Sequence, residues 1–171
     1  MLNIRKATIA DAPFLALLGR ITFNESFGYL FDDRDDLLSY HQRTYAVSKI
    51  RNSLDKDTNI FWIAFYDELP VGYAKLKLNS HSSFLEQGQV CQLQKIYVLK
   101  DFLSGKIGSQ LQNLLLDEAR ISGFKTIWLS VYDGNKKAIR FYVRNGFRPI
   151  GAHDFQIGKK NFNFTAMAKQ L

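Results

Sequence analysis

The spacing of apolar residues changes twice along this chain, and neither an all-helical nor an all-strand fold accommodates both changes. Up to about Leu54 the apolar residues recur at helical intervals: Phe14, Leu17, Leu18, Ile21 and Phe27, then Leu37, Leu38, Tyr45, Val47 and Ile50. From Asn59 the run Ile60-Phe61-Trp62-Ile63-Ala64-Phe65-Tyr66 is too aromatic and β-branched for an exposed helix. Asp67-Glu68-Leu69-Pro70 is a turn. The residues after it alternate, with Val71, Tyr73, Lys75 and Lys77 on one face and Ala74, Leu76 and Leu78 on the other. That pair of segments is a β-hairpin. A polar loop over 79–88 leads to a third strand at 90–99. Helical spacing then returns at Ile107, Leu111, Leu114, Leu115 and Ala119, and Gly123 ends it.

The remaining segments complete the pattern. Leu2, Ile4 and Ala7 form a short first strand, and Thr8 caps a helix with Asp11 three residues on and Pro13 in its first turn. A second helix is expected over 35–54, a strand over 126–131, and a short helix over 135–144 stopped by Asn145-Gly146. Strands over 147–156 and 161–168 close as a hairpin around Gly158-Lys159-Lys160. The order is β-α-α-β-β-β-α-β-α-β-β, which predicts an α/β fold: one mixed central sheet with helices on both faces. No repeat or composition break divides the chain, so residues 1–171 are expected to form a single domain.

Charge is unevenly distributed. Residues 1–90 hold 10 lysines and arginines against 11 acids, and residues 91–171 hold 13 against 5, so the net charge of +7 lies in the second half. Such a half attracts nucleic acid or a small polyanion such as a nucleotide or coenzyme A. No reading helix or aromatic platform for nucleic acid is recognisable, so no nucleic-acid partner is expected. The single Cys91 excludes an internal disulfide, and His41, His81 and His153 are too scattered for a metal site. No apolar run approaches the roughly 20 residues of a membrane span. Arg5, Lys6 and Asp11 stand where a signal peptide is apolar. A cytoplasmic protein with no membrane partner is the expectation.

The chemistry is concentrated in two segments. In the first, Ser104-Gly105-Lys106-Ile107-Gly108-Ser109 links the strand at 90–99 to the next helix. A glycine-containing loop there presents free backbone N–H groups at the positive end of the helix dipole, an anion site suited to a pyrophosphate. Gly105 and Gly108 allow close backbone approach and Lys106 adds a charge. The spacing is neither that of a Walker A loop nor G-x-G-x-x-G, and a plain strand–helix connection is the competing reading.

The second segment is Asn135-Lys136-Lys137-Ala138-Ile139-Arg140-Phe141-Tyr142-Val143-Arg144-Asn145-Gly146-Phe147. It resembles the N-x-x-A-x-x-F/Y-Y-x-x-x-G-F signature of the GNAT superfamily of N-acetyltransferases. Leu93-Gln94-Lys95-Ile96-Tyr97-Val98, before the glycine loop, resembles that superfamily's acetyl-CoA-binding motif. Within it the chain is similar to the PaiA-type spermidine/spermine (diamine) N-acetyltransferases. Phe23-Asn24-Glu25-Ser26-Phe27, Gly72-Tyr73-Ala74-Lys75-Leu76, Ile127-Trp128-Leu129 and Gly151-Ala152-His153 all fit. The resemblance implies the GNAT fold and acetyl-CoA as cofactor, with the pantetheine arm between two parting parallel strands. It implies backbone contacts to the arm from Ile96, Tyr97 and Val98, and pyrophosphate contacts from the amides of Ser104, Gly105, Lys106, Ile107, Gly108 and Ser109. Asn135 becomes a helix cap and a ligand of the arm, and Lys136, Lys137 and Arg140 candidates for the 3′-phosphate. Tyr142 matches the tyrosine regarded as the acid that protonates the thiolate, the alternative being a packed aromatic with a satisfied hydroxyl.

The chain also departs from that family. Leu103 stands where Gln or Arg is usual, and Lys106 replaces a glycine. Gln92, Gln94 and Ser130 occupy positions where relatives often carry Glu, which leaves the base unassigned among Glu25, Glu86, ordered water and an amine that arrives deprotonated. Glu25, Asp32, Asp33, Asp35 and Asp36 cluster in the region that walls the acceptor side in this superfamily, with Glu25 and Gln94 as candidate substrate-binding residues. An acidic mouth attracts a polyamine, whereas acids at helix starts equally serve as caps. The implied activity is acetyl transfer to a primary amine, a polyamine such as spermidine foremost. Another small amine, a protein N-terminus, or a catalytically silent acyl-CoA-binding regulator are the alternatives. A homodimer is expected by analogy alone.

Overall fold

The computed structural model describes residues 1–171. Its strands are β1 (Leu2–Lys6), β2 (Asn59–Tyr66), β3 (Leu69–Lys77), β4 (Val90–Val98), β5 (Thr126–Tyr132), β6 (Arg148–Ile157) and β7 (Lys160–Gln170). They form one sheet in the order β1-β2-β3-β4-β5-β7-β6. Every neighbouring pair is antiparallel except β4 with β5. The helices are α1 (Ala12–Phe27), α2 (Arg34–Thr44), α3 (Val47–Leu54), α4 (Ile107–Ile121) and α5 (Lys136–Arg144). Trp62, Ala74, Leu76 and Leu93 face α4 and α5 across one core. Phe61, Ile63 and Tyr73 face α1, α2 and α3 across the other. The predicted mixed sheet with helices on both faces is present, and no helix is long and apolar enough to cross a membrane.

Four local expectations are corrected. The helix expected over 35–54 is two helices, so three rather than two lie between the first strands. The break falls at Tyr45, whose ring is 1% exposed and rests on Gly19 of α1, where a Cβ would come within 2.3 Å of it. Arg20 Nε donates to the Tyr45 carbonyl (3.3 Å), which takes up a group the helix no longer uses. Next, α1 buries only part of the expected stripe. Leu18 and Phe27 are inside as expected, together with Ala12, Leu15, Ala16, Gly19 and Phe23, while Phe14, Leu17 and Ile21 stay substantially exposed. The sheet and the neighbouring helices, rather than residue size alone, select the buried face.

The turn between β2 and β3 is only Asp67 and Glu68, both at positive φ (45° and 68°), so Leu69 and Pro70 already belong to β3. A primed two-residue turn of this kind suits the twist of a hairpin. Lastly, Val71 faces α4 with Ala74 and Leu76, not Tyr73's side. The register slips there, Ala64 opposing Gly72 and Phe65 opposing Pro70, and the extra residue in β3 turns Val71 over.

The predicted Thr8–Asp11 cap is present as a polar anchor. The Asp11 carboxylate, 3% exposed, accepts from the Thr8 backbone N–H (2.8 Å) and from both terminal nitrogens of Arg5 (2.8 Å each). The Arg5 hydrogen bonds, against an opposing cost of burial, lower its pKa from 3.8 to about 2. A depressed acid contributes stability above its unfolded pKa and loses it as pH falls through the folded value. Asp11→Asn is therefore expected to cost about 2 kcal/mol at pH 7, a deficit that closes between pH 4 and pH 2. Urea titrations of both proteins across that range measure it, and a pH-independent gap would contradict it.

Candidate functional site

The two parallel strands at the centre of the sheet stay together for only three residue pairs. Val90 opposes Thr126, Cys91 opposes Ile127 and Gln92 opposes Trp128, after which pairing ends. On its far side β5 continues against β7 as far as Tyr132 opposite Phe164. On its own far side β4 continues against β3, with Ala74 opposite Ile96 and Gly72 opposite Val98. The parting begins at a bulge: Lys75 opposes Lys95 but Leu76 opposes Leu93, so Gln94 is an extra residue in β4. Packing records the same slip, because Leu93 and Ile96, three apart, both face α4 where strict alternation would place them on opposite sides. A bulged strand bends and twists more strongly, and here it swings away from β5.

The gap is the floor of a cleft of about 550 Å³. It gathers most of the residues singled out in the sequence: Ile96, Tyr97 and Val98 of β4, Ser104, Lys106, Gly108 and Ser109 of the loop and helix start, Asn135, Lys137 and Tyr142 of α5, and Glu25 and Gln94. Gly105 and Ile107 are not in the wall. The Ile107 side chain, 2% exposed, is committed to the core, which leaves only its backbone at the helix start. Gly108 meets nothing within 4 Å of an added Cβ, so open ground lies above the first turn of α4. Lys106 stands in the left-handed region (φ 53°), the conformation that makes glycine the usual residue there. Lys136 and Arg140 lie outside the wall; Arg144, one helical turn past Arg140, lines it instead.

The wall is cationic. Lys95, Lys100, Lys106, Lys137 and Arg144 line it, and Glu25 is the one carboxylate. Glu25 Oε2 accepts from the Lys100 backbone N–H (3.0 Å), tying the end of α1 to the loop after β4. The other acids grouped with Glu25 in the sequence do not form a mouth. Asp33 caps α2 and pairs with Lys159 Nζ (2.9 Å), Asp36 accepts from the Lys159 backbone N–H (2.9 Å), and Asp32 is 3.7 Å from Lys160. They hold the β6–β7 turn against α2, a contact 126 residues apart in sequence for Asp33 and Lys159. Glu86 is exposed and outside the cleft wall.

Gln92 accepts from Ser80 Oγ (2.9 Å) below the cleft. Ser130, on the cleft wall, lies 2.7 Å from His153 Nε2 of β6, whose ring stacks on Phe164 at 11°. Asn135 Oδ1 accepts from the Ala138 N–H (3.1 Å), so its capping role is met. Tyr142 is 7% exposed, packs against Phe141 and Phe147, and lines the cleft. Sequence reasoning missed Arg144, Tyr132 and Phe164 as wall residues, since the first lies outside the motif's fixed positions and the others reach the cleft only through sheet pairing.

Residues 23–147 match the acetyltransferase (GNAT) family. The chain belongs to that family. An N-acetyltransferase of uncharacterised function from Mycobacterium tuberculosis is 30% identical over 137 residues, covering 80% of this chain and 83% of the relative. One from Lactobacillus delbrueckii subsp. lactis, also uncharacterised, is 24% identical over 148 residues, 86% of this chain and 85% of the relative. Among solved structures, the PaiA N-acetyltransferase of Thermoplasma acidophilum in complex with coenzyme A superposes with a TM-score of 0.78 at 21% identity. That match covers 100% of this chain and 99% of that one. The ribosomal-protein-S18-alanine N-acetyltransferase of Escherichia coli gives 0.73 at 16% identity over 99% and 94%.

As a GNAT enzyme the protein is an acetyl-CoA-dependent N-acetyltransferase. The cleft fits that cofactor on its own terms. The edges of β4 and β5 that face each other beyond Gln92 and Trp128 carry backbone groups free to bond the amides of an extended arm. The first-turn N–H groups of α4 lack helical acceptors, and beside them Lys106, Lys137 and Arg144 supply charge for phosphates. Deleting Gln94 restores strict alternation while leaving Leu93, Lys95 and Ile96 on their present faces. That variant is expected to fold with unchanged circular dichroism but to lose the rise in melting temperature on adding acetyl-CoA. A deletion variant still stabilised by acetyl-CoA would show that the bulge is not what parts the strands.

Proposed function

We propose that the GNAT cleft acetylates the primary amine of a small acceptor, with Tyr142 as hydrogen-bond donor to the leaving sulfur and the Ser130–His153 pair as the route out for the amine's proton. Acetyl-CoA supplies an acetyl group activated as a thioester. Residues 96–98 hold the extended arm along the free edge of β4. Ser104, Lys106, Gly108, Ser109, Lys137 and Arg144 take its phosphates, and Asn135, already capping α5, borders the arm. The acceptor approaches between Glu25, Ser26 and Tyr29 at the end of α1 and Ser130 and Tyr132 of β5.

The observation that carries this reading is Tyr142, a buried tyrosine on the cleft wall beside the open strand edge, with no hydrogen bond from its hydroxyl to the rest of the chain. Burial, with a smaller contribution from Tyr97, raises its pKa well above the usual phenol value. The hydroxyl thus keeps its proton through the alkaline range and acts by a hydrogen bond to developing thiolate. Because the group titrates so high, turnover shows no alkaline fall from Tyr142 up to about pH 10. Tyr142→Phe is expected to lower kcat at least 10-fold while leaving acetyl-CoA affinity within about 3-fold. Equal turnover would remove Tyr142 from this role.

The proton on the acceptor ammonium must leave before attack. Glu25 is engaged by the Lys100 amide, and Glu86 is elsewhere, so neither serves. Ser130 Oγ receives the ammonium proton as its own passes to His153 Nε2, and exposed His153 returns it to water. His153→Gln is expected to reduce kcat/KM about 10-fold at pH 7, with the deficit shrinking by pH 9 where free amine is abundant. A deficit constant across pH would make His153 a structural residue.

Spermidine and other diamines are the acceptors suggested by the sequence, and Glu25 is the one carboxylate on the cleft wall. Release of free thiol from acetyl-CoA with spermidine, spermine, putrescine and other amines tests the activity directly. Stabilisation by acetyl-CoA without thiol release on any amine would favour an acyl-CoA-binding regulator.

A further inference from the structure

Beneath α1 and α3 a second cavity, of about 300 Å³, opens on the same face of the sheet as the acceptor side. Three lysines line it from three elements: partly buried Lys75 of β3 and Lys95 of β4, and exposed Lys49 of α3. No Asp or Glu lines it, and none of the three lysines is in an ion pair. Lys75 Nζ lies 5.2 Å from the centroid of Phe61, and Lys95 Nζ lies 5.2 Å from that of Tyr45 and 3.4 Å from its hydroxyl. Aromatic faces offset part of the cost of withdrawing a cation from water but leave the charges repelling one another. Burial first, and then Lys95 among neighbouring lysines, lowers the Lys75 pKa to about 8. Burial and Lys49 do the same to Lys95. Tyr73, 2% exposed, lines the same wall, and its hydroxyl has no partner.

Two partly buried ammonium groups without a carboxylate and an unpaired buried hydroxyl around one void are costly unless a ligand completes them. An anion satisfies all of them together. The cavity adjoins the cleft, for Gln94 and Lys95 line both. The bulge that opens the strands thus also lies where the two spaces meet.

We propose that this cavity is an anion subsite for the acceptor, holding a carboxylate or phosphate among Lys49, Lys75, Lys95 and Tyr73 while the acceptor's amine extends past Gln94 to the cleft. The proposal rests on the assignment of the cleft to amine acetylation, and it makes the substrate an amino acid or a phosphorylated amine rather than a polyamine.

Two measurements separate the proposal from that assignment. In the first, protein saturated with coenzyme A, which fills the phosphate-binding loop, is titrated with acetate or inorganic phosphate at constant ionic strength. A saturable rise in melting temperature is expected, absent in Lys75→Gln and Lys95→Gln and retained in Lys159→Gln. Both substitutions remove a partly buried, unpaired charge, so these variants are expected to fold. Preference for acetate over phosphate, or the reverse, identifies the anion. In the second, thiol release is compared for ornithine against putrescine and for phosphoethanolamine against ethanolamine. The anionic member of a pair is expected to show at least a 10-fold higher kcat/KM, carried by KM, and the lysine variants to abolish the difference. Anion binding that is unsaturable or survives both lysine substitutions overturns the proposal, as does faster turnover of putrescine than ornithine. Lysine-dependent anion binding with no turnover of any amine upholds the anion site and instead removes the assignment of the cleft.

Discussion

A sheet that comes apart in its middle carries a cost, and the rest of this molecule is arranged around that cost. Beyond Gln92 and Trp128 the facing edges of β4 and β5 have no strand partner, although both strands remain paired on their outer sides. Backbone groups buried without partners cost about 1–3 kcal/mol each. The gap therefore persists only where water or a ligand reaches the exposed edges, and the cleft supplies that access. The bulge at Gln94 fixes where the parting starts. Because α4 begins just past the end of β4 and α5 just past the end of β5, the same opening brings two helix starts to one place. The unpaired edges accept the amides of an extended chain and the helix starts accept anions, so one defect defines both halves of a cofactor site.

Much of this was legible in the sequence because it is local. The change of apolar period, the loop Ser104-Gly105-Lys106-Ile107-Gly108-Ser109 and the segment from Asn135 to Phe147 each specify an element by neighbours within a turn or two. Those elements appear where expected. The bulge left a trace as well: Leu93 and Ile96 are both apolar at a spacing that breaks the two-residue alternation of a strand. What escaped depended on contacts between distant segments. Tyr45 breaks a helix because Gly19, far away in the chain, leaves room for its ring. Phe14, Leu17 and Ile21 of α1 stay outside because the sheet meets the side of the helix that carries Leu15, Leu18 and Phe23. Asp32, Asp33 and Asp36 read as a cation-attracting cluster until Lys159 and Lys160 arrive from the other end of the chain.

That pairing also redistributes the charge excess of the second half. Lys159 and Lys160 pair with Asp33 and Asp32 just before α2, so they contribute little to the field around the cleft. Lys100, Lys106, Lys137 and Arg144 stand along the wall without carboxylates beside them except Glu25, which accepts from a backbone amide rather than a side chain. The field left over is therefore positive where phosphates are to be held. It is positive again in the smaller cavity under α1 and α3, where Lys49, Lys75 and Lys95 meet no acid at all.

An enzyme that acetylates amines gains from such a field in a way that an acidic site does not. A primary amine must lose its proton before it can attack, and nearby cations disfavour its charged form. Positive charge around Gln94 and Lys95 would thus raise the fraction of an acceptor bound at the proposed subsite that is free amine, whereas an acidic mouth concentrates polyamines but holds them protonated. Under the proposed anion subsite, the same field works against an acceptor that carries only cationic groups and favours one with an anion of its own. Electrostatics therefore couples two properties usually considered apart, the ionisation of the nucleophile and the choice of acceptor. Both follow from lysines that have no acidic partner within the chain.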